Sequence, residues 1–195
     1  MRFFRLFKSE PTISEKATLS SDLAHYYSHI HRAQQTECPN LRDLCEAIGI
    51  DADSMPLRPH LCGWIASCGN TWRIIYNRDH SLPRQRFTIA HMIGHHFLHR
   101  DLMSEPNVEG ANDSMEFQQI QDAPCYNPAI LPKHEIQANR FAIGLLMPSP
   151  ILQRLVDEGL SVPEIAKRLS TSVDAARIRL KNFVPTAKNQ ECSPG

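Results

Sequence analysis

The stretch Arg84–His99, RQRFTIAHMIGHHFLH, constrains this chain more than any other. Its apolar spacing predicts one helix from about residue 83 to 99, with Pro83 near the first turn, where a missing N–H is harmless. Phe87, Ile89, Ala90, Met92, Ile93, Phe97 and Leu98 spread apolar surface over most of its circumference, so the helix is expected to be buried. A buried helix that also carries His91, His95, His96 and His99 has four imidazoles to supply with partners. His91 and His95 lie four residues apart and share a face, where both can ligate one metal ion. Gly94 costs such a helix roughly 1 kcal/mol relative to alanine, which predicts close packing of another segment against it. Arg84 and Arg86 sit at the wrong end of the helix dipole for cations, and pairing with carboxylates elsewhere is expected.

The sequence His91-Met-Ile-Gly-His95 departs at one position from H-E-x-x-H, the helical motif in which two histidines hold zinc and the intervening glutamate activates water. Met92 stands at the glutamate position. A metal site that performs chemistry needs three protein ligands and an open fourth position. Glu135, on a separate downstream helix, is a chemically suitable third ligand, giving the set His91, His95, Glu135; His134 and Asp101 are weaker competitors. Each residue also has a plainer reading. Helical histidines at this spacing are often hydrogen-bonded core residues, and a first-turn glutamate is stabilised by the helix dipole without any ion.

Around this centre the chain divides into an irregular tail (1–17), a main domain (18–148), a helical extension (149–184) and a loose polar tail (185–195). Phe3, Phe4 and Phe7 of the first tail are candidates for docking on the body. A helix is expected from Ser20 or Ser21, either of which can cap it, with Leu23, Tyr26, Tyr27 and Ile30 as its apolar stripe. A second, short helix is capped by Asn40, buries Leu41, Leu44, Cys45 and Ile48, and stops at Gly49. LCGWIAS and TWRIIYN, separated by Cys68-Gly69-Asn70, read as a β-hairpin. Residues 101–132 contain no Lys or Arg but carry Asp101, Glu105, Glu109, Asp113, Glu116 and Asp122. A connection this long is expected to be a functional lid or a mobile insertion, with MEFQQIQ as a short element inside it. HEIQANRFAIGLLMP is a helix ending near Pro148. Ser161 and Glu164 form a capping box opening a short helix, which passes through Ser170–Ser172 into another, a pair resembling a helix-turn-helix.

With 195 residues, 42% hydrophobic, the chain has room for one soluble domain and a small helical appendix. Lys+Arg and Asp+Glu each number 21, so no global charge draws it to nucleic acid or membrane. Six cysteines without a C-x-x-C pair argue for reduced thiols, and no run reaches the length of a signal core or a membrane span. A cytoplasmic protein is expected.

RQRFTIAHMIGHHFLH followed by EIQANRFAIGLLMP resembles the ImmA/IrrE family of zinc metallopeptidases, whose pattern runs R-x-R-F-T-x-A-H-E-x-G-H and then E-x-x-A-N-x-F-A-x-x-L-L-M-P. The preceding helices, the hairpin and the helix-turn-helix-like end follow the family's order, so the resemblance spans roughly residues 18–183. It implies an α+β fold: a small zincin-like metallopeptidase domain of helices plus a short antiparallel sheet, with the helical extension behind it. It also implies Zn²⁺ as cofactor, with His91, His95 and Glu135 as ligands. The glutamate that takes a proton from water and passes it to the leaving amine is absent, and Met92 cannot transfer protons. Loss of such a base typically costs about 100- to 10,000-fold in rate. His96, one turn beyond Met92, is a poor candidate substitute, and Glu105, Glu109 and Glu116 have no better support. The resemblance implies a regulatory protein of bacteria acting on a protein partner, a helix-turn-helix repressor, as a peptidase of limited activity or as an inactive pseudo-peptidase that works by binding. Direct DNA binding through residues 161–183 is not expected, because Ser172 and Asp174 occupy the reading end of the second helix while Arg177, Arg179 and Lys181 lie further along.

Overall fold

The computed structural model describes residues 22–68, 71–103 and 130–183. The expected N-terminal tail, the acidic stretch beyond residue 103 with its MEFQQIQ element, and the C-terminal tail lie outside the described residues.

Helix α1 (Asp22–Gln34) runs directly from the expected cap region, and Ile30 of its predicted stripe is fully buried. In α2 (Leu41–Ala47) the Asn40 side chain accepts the Arg42 N–H at 3.1 Å, Leu41, Leu44 and Cys45 face inward, and Gly49 takes the left-handed φ of 72° that ends the turn. Cys45 is core packing: burial pushes its thiol up to about 12, so it stays protonated.

The hairpin forms as expected. Strands β2 (Gly63–Cys68) and β3 (Thr71–Asn77) pair antiparallel from Gly63↔Tyr76 to Cys68↔Thr71. A third strand, β1 (Ile50–Met55), was not expected, and it makes the sheet mixed instead of purely antiparallel. It lies parallel to β3, in the order β1-β3-β2, with Ile50 opposite Trp72 and Asp53 opposite Ile75. Arg73 reaches Asp51 at 3.6 Å and Asp53 at 3.9 Å, neutralising the two acids that make the strand look like loop. The connection from β1 to β2 is organised by Asn77, only 1% exposed. Its amide oxygen accepts the N–H groups of Leu57 and Asp79, while its NH₂ group donates to the carbonyls of Leu57, Arg58 and Leu61. At Gly63 a Cβ would come within 2.3 Å of the Ile75 carbonyl oxygen, so the strand can begin there only without a side chain.

Helix α3 (Leu82–Met103) runs four residues past its expected end, with non-helical backbone at His99 (φ −134°, ψ 20°). It packs chiefly on α4 (Pro132–Leu146), and the two meet at Gly94. A Cβ there would lie 3.1 Å from the Ala138 carbonyl oxygen and 3.2 Å from the Phe141 Cβ, which is the close approach the glycine predicted. The expected carboxylate partners of Arg84 and Arg86 are not found among the described residues. Arg84 donates to the Cys62 sulfur at 3.3 Å and Arg86 to the Pro39 carbonyl at 3.0 Å, because the first turn of α3 lies against two earlier segments of the chain.

Three further helices follow: α5 (Ser149–Asp157), α6 (Val162–Arg168) and α7 (Val173–Lys181). The Glu164 carboxylate accepts the Ser161 N–H at 2.8 Å, as the capping box requires. Leu152, Leu155, Ile165 and Leu169 join Ile30, Ile74, Ile93 and Leu145 in one apolar core. Burying each such side chain contributes about 1.5–3 kcal/mol. Glu37, just after α1, adds a polar tie: it accepts a two-pronged bond from Arg168 at 2.6 and 2.7 Å and a further one from Arg154. Among the described residues, no helix is long and apolar enough to cross a membrane.

Candidate metal centre

The i, i+4 spacing on α3 and the first turn of α4 bring His91, His95 and Glu135 together. His91 Nε2 and His95 Nε2 are 3.0 Å apart, and each is 3.3 Å from a different oxygen of the Glu135 carboxylate. Ligand bonds of 2.0–2.2 Å to a tetrahedral zinc place neighbouring donor atoms about 3.3–3.6 Å apart, so each histidine-to-carboxylate separation is of the size that ligation requires and the 3.0 Å between the imidazoles falls just below it. Among the described residues, this is the one group of three or more metal-binding side chains. Asp101, exposed at the end of α3, is not part of it. His134 is turned aside: its Nδ1 accepts the Leu131 N–H at 3.1 Å, and its ring lies 4.7 Å from that of His99.

The outward ring nitrogens explain why the inner ones converge. His91 Nδ1 lies 3.0 Å from the Asn139 amide oxygen. An amide oxygen only accepts, so the proton of neutral His91 resides on Nδ1 and the Nε2 lone pair faces Glu135. Burial lowers the pKa of His91, and it pushes His95 down to about 3, with the neighbouring His91, His99 and His134 adding to the shift. Both rings are therefore neutral near pH 7, the state in which imidazole is a ligand. With the His91 lone pair turned to a carboxylate, the centre of the triad brings acceptors together. A cation satisfies all three, and so the donor set fits a divalent metal ion.

The site lies open on the Glu135 side, whose side chain is 49% exposed, against 6% for His95. Two cavities of about 290 and 350 Å³ lie elsewhere, one walled by Arg42, Asp51 and Arg73, the other by Phe87, Met147 and Thr171. Met92 packs its thioether against the core. His96 is 4% exposed with its ring edge-on to Trp72 at 4.9 Å, on the sheet side of α3. Burial, followed by the charge of Arg100, holds it down at about 4, so it is a weak proton acceptor at neutral pH.

Sequence reasoning passed over two residues of this centre. Asn139 lies one turn beyond Glu135, and that spacing is the signal that places it beside a ligand histidine. Gln137 meets His99 Nε2 at 2.8 Å and has no such periodic mark.

The helix-turn-helix-like end has a different character. Arg179 is turned inward, donating to Ser149 Oγ at 2.9 Å and towards the Met147 carbonyl, while Arg177 is held by Asp174.

Residues 50–181, which include every member of the triad, match the IrrE N-terminal-like domain family of peptidases. The chain is also 28% identical, over 156 residues and 75% of its length, to the radiation response metalloprotease IrrE of Deinococcus radiodurans. The match covers 42% of that protein, so the chain spans less than half the length of this relative.

Proposed function

The chain belongs to the ImmA/IrrE family of metallopeptidases, and on that premise we propose that it is a zinc-binding regulatory protein acting on a partner, a helix-turn-helix repressor, as a metallopeptidase of limited activity. The observation that carries this reading is the convergence of His91, His95 and Glu135 beside Met92. A zinc ion held there supplies Lewis acidity, polarising a peptide carbonyl and making water more acidic. The chain's own groups hold and orient that ion: the two imidazoles through Nε2, the carboxylate through an oxygen, and Asn139 by fixing the His91 ring. Met92 neither accepts nor donates a proton, so the step that needs a base runs about 100- to 10,000-fold slower than with glutamate. The stretch 101–132, acidic and free of Lys and Arg, suits a partner with basic surface, as DNA-binding proteins have.

Met92 specifically favours a second reading, a pseudo-peptidase that keeps metal and cleft and regulates its partner by binding alone. Two measurements separate the possibilities. Purified wild type is expected to hold one equivalent of zinc that His91→Ala and Glu135→Ala lose; equal metal in all three would refute the ligand set. Cleavage of a repressor encoded beside this protein is expected to be slow in wild type and at least about 100-fold faster in Met92→Glu. Cleavage by wild type at the rate of the variant would refute limited activity, and binding by wild type with no cleavage would establish the second reading.

A further inference from the structure

His95 ligates through Nε2, so its Nδ1 points out of the centre, 3.2 Å from His99 Nδ1. The other nitrogen of His99, Nε2, lies 2.8 Å from the Gln137 side-chain oxygen. That oxygen sets the direction of the whole chain. It only accepts, so His99 carries its proton on Nε2; His99 Nδ1 is then an acceptor, and His95 is the donor through Nδ1–H. This is the tautomer that leaves the His95 Nε2 lone pair free for a metal ion. The backbone leaves helical geometry at His99 itself, the residue whose ring has to meet His95 on one side and Gln137 on the other. His99 is 5% exposed, and its ring also packs on His134, the neighbour of Glu135.

We infer that His99 is a positioning residue for the metal centre, an imidazole that accepts the outward Nδ1–H hydrogen bond of His95 and donates its own Nε2–H to Gln137 on α4. The arrangement parallels His91 and Asn139, with one ring inserted. Both ligand histidines are thereby referred to side-chain amides on the helix that carries Glu135, so the three donors are aligned to one element. The inference rests on the metal-binding reading of the triad.

Competition with a chromophoric chelator measures zinc affinity for wild type, His91→Ala, His99→Phe, His99→Gln and Gln137→Leu. His99→Phe keeps the ring volume but accepts no hydrogen bond, and it is expected to bind zinc about 10- to 100-fold more weakly. His99→Gln, whose amide oxygen can accept from His95, is expected to recover most of the loss, and Gln137→Leu to lose less than His99→Phe. The second readout needs no metal: ¹⁵N spectra of the apo protein should show His95 as the Nδ1–H tautomer in wild type, and as the Nε2–H tautomer common to free imidazole in His99→Phe. Near-wild-type affinity and an unchanged His95 tautomer in a folded His99→Phe would overturn the proposal. If that variant does not fold, His99→Gln and Gln137→Leu decide on the same two readouts. If wild type itself binds no zinc, the metal reading fails and this inference falls with it, whereas zinc binding by wild type together with an unchanged His95 tautomer in the variants overturns this one alone.

Discussion

Gly94 offers the sharpest test of how the two halves of the centre are held together. In Gly94→Ala the new methyl group meets the Ala138 carbonyl oxygen at 3.1 Å, the Ala138 Cα at 3.2 Å and the Phe141 Cβ at 3.2 Å. All three are backbone or adjacent to backbone, so no flexible side-chain end can swing away. Relief to ordinary contact distances requires α3 and α4 to separate locally by about 0.3–0.6 Å. Alanine gains about 1 kcal/mol of helix propensity, while overpacking of this kind costs about 1–3 kcal/mol, so the net change in stability is small, between roughly neutral and 2 kcal/mol unfavourable. The metal centre is less forgiving. His91 and His95 ride on α3 and Glu135 on α4, so the opening lengthens both 3.3 Å edges of the triad together. A ligand set tolerates about 0.2 Å, and zinc affinity should therefore fall by at least about tenfold. Urea unfolding of the metal-free protein and chelator competition measure the two effects separately. Gly144→Ala is the control, since a Cβ at Gly144 meets nothing within 4 Å; it should stabilise by up to about 1 kcal/mol and leave zinc binding unchanged. Equal zinc affinity in Gly94→Ala and wild type would show that the helix contact does not set the ligand spacing.

Other expectations follow from the burial of particular groups. His96, held at about 4 against 6.5 when unfolded, takes up its proton in the unfolded state first, so the metal-free protein loses stability as pH falls from about 6.5 towards 4. His96 alone accounts for about 2 kcal/mol by pH 5, and urea unfolding of His96→Phe should show a shallower fall over that window. Arg179→Ala should cost about 1–2 kcal/mol through its lost bonds to Met147 and Ser149, while Arg177→Ala is nearly silent, and neither should alter a gel shift with duplex DNA. Glu37→Gln should loosen residues 149–169, read as faster amide exchange there, with the difference from wild type shrinking at high salt because the Arg154 and Arg168 partners are half exposed.

What was legible in the sequence was whatever a local pattern enforces. Asn40, Gly49, the Ser161–Glu164 box and the i, i+4 histidines each act within one turn, and each was found where its spacing placed it. Glu135, the candidate third ligand, was singled out by the motif around it, and the fold brings it to the two histidines. What was not legible depended on partners distant in the chain. IDADSM carries two aspartates, residues with poor strand propensity, and becomes a strand only because β3 supplies both the ladder and Arg73. SPILQRLVD follows Pro148 and contains Pro150, a pair that looks like a break, although proline is tolerated in a first helical turn and Ile151, Leu152 and Leu155 share an inward face. The partners of Arg84 and Arg86 were misassigned because charge suggested carboxylates, whereas packing offered a thiol and a carbonyl.

His95 and Glu135 are separated by about 40 residues of chain but only 3.3 Å of space. A metal ion shared by them is thus a cross-link, and the free energy with which it binds is also free energy of holding a loop closed. The entropy of closing a loop grows only logarithmically, about 0.6 kcal/mol for each doubling of its length. With α3 and α4 already docked through Gly94, even that small cost falls on the helix interface and not on the ion. In the metal-binding reading, the length of chain between the two helices therefore bears little on the triad, whose spacing is set where α3 and α4 meet at Gly94.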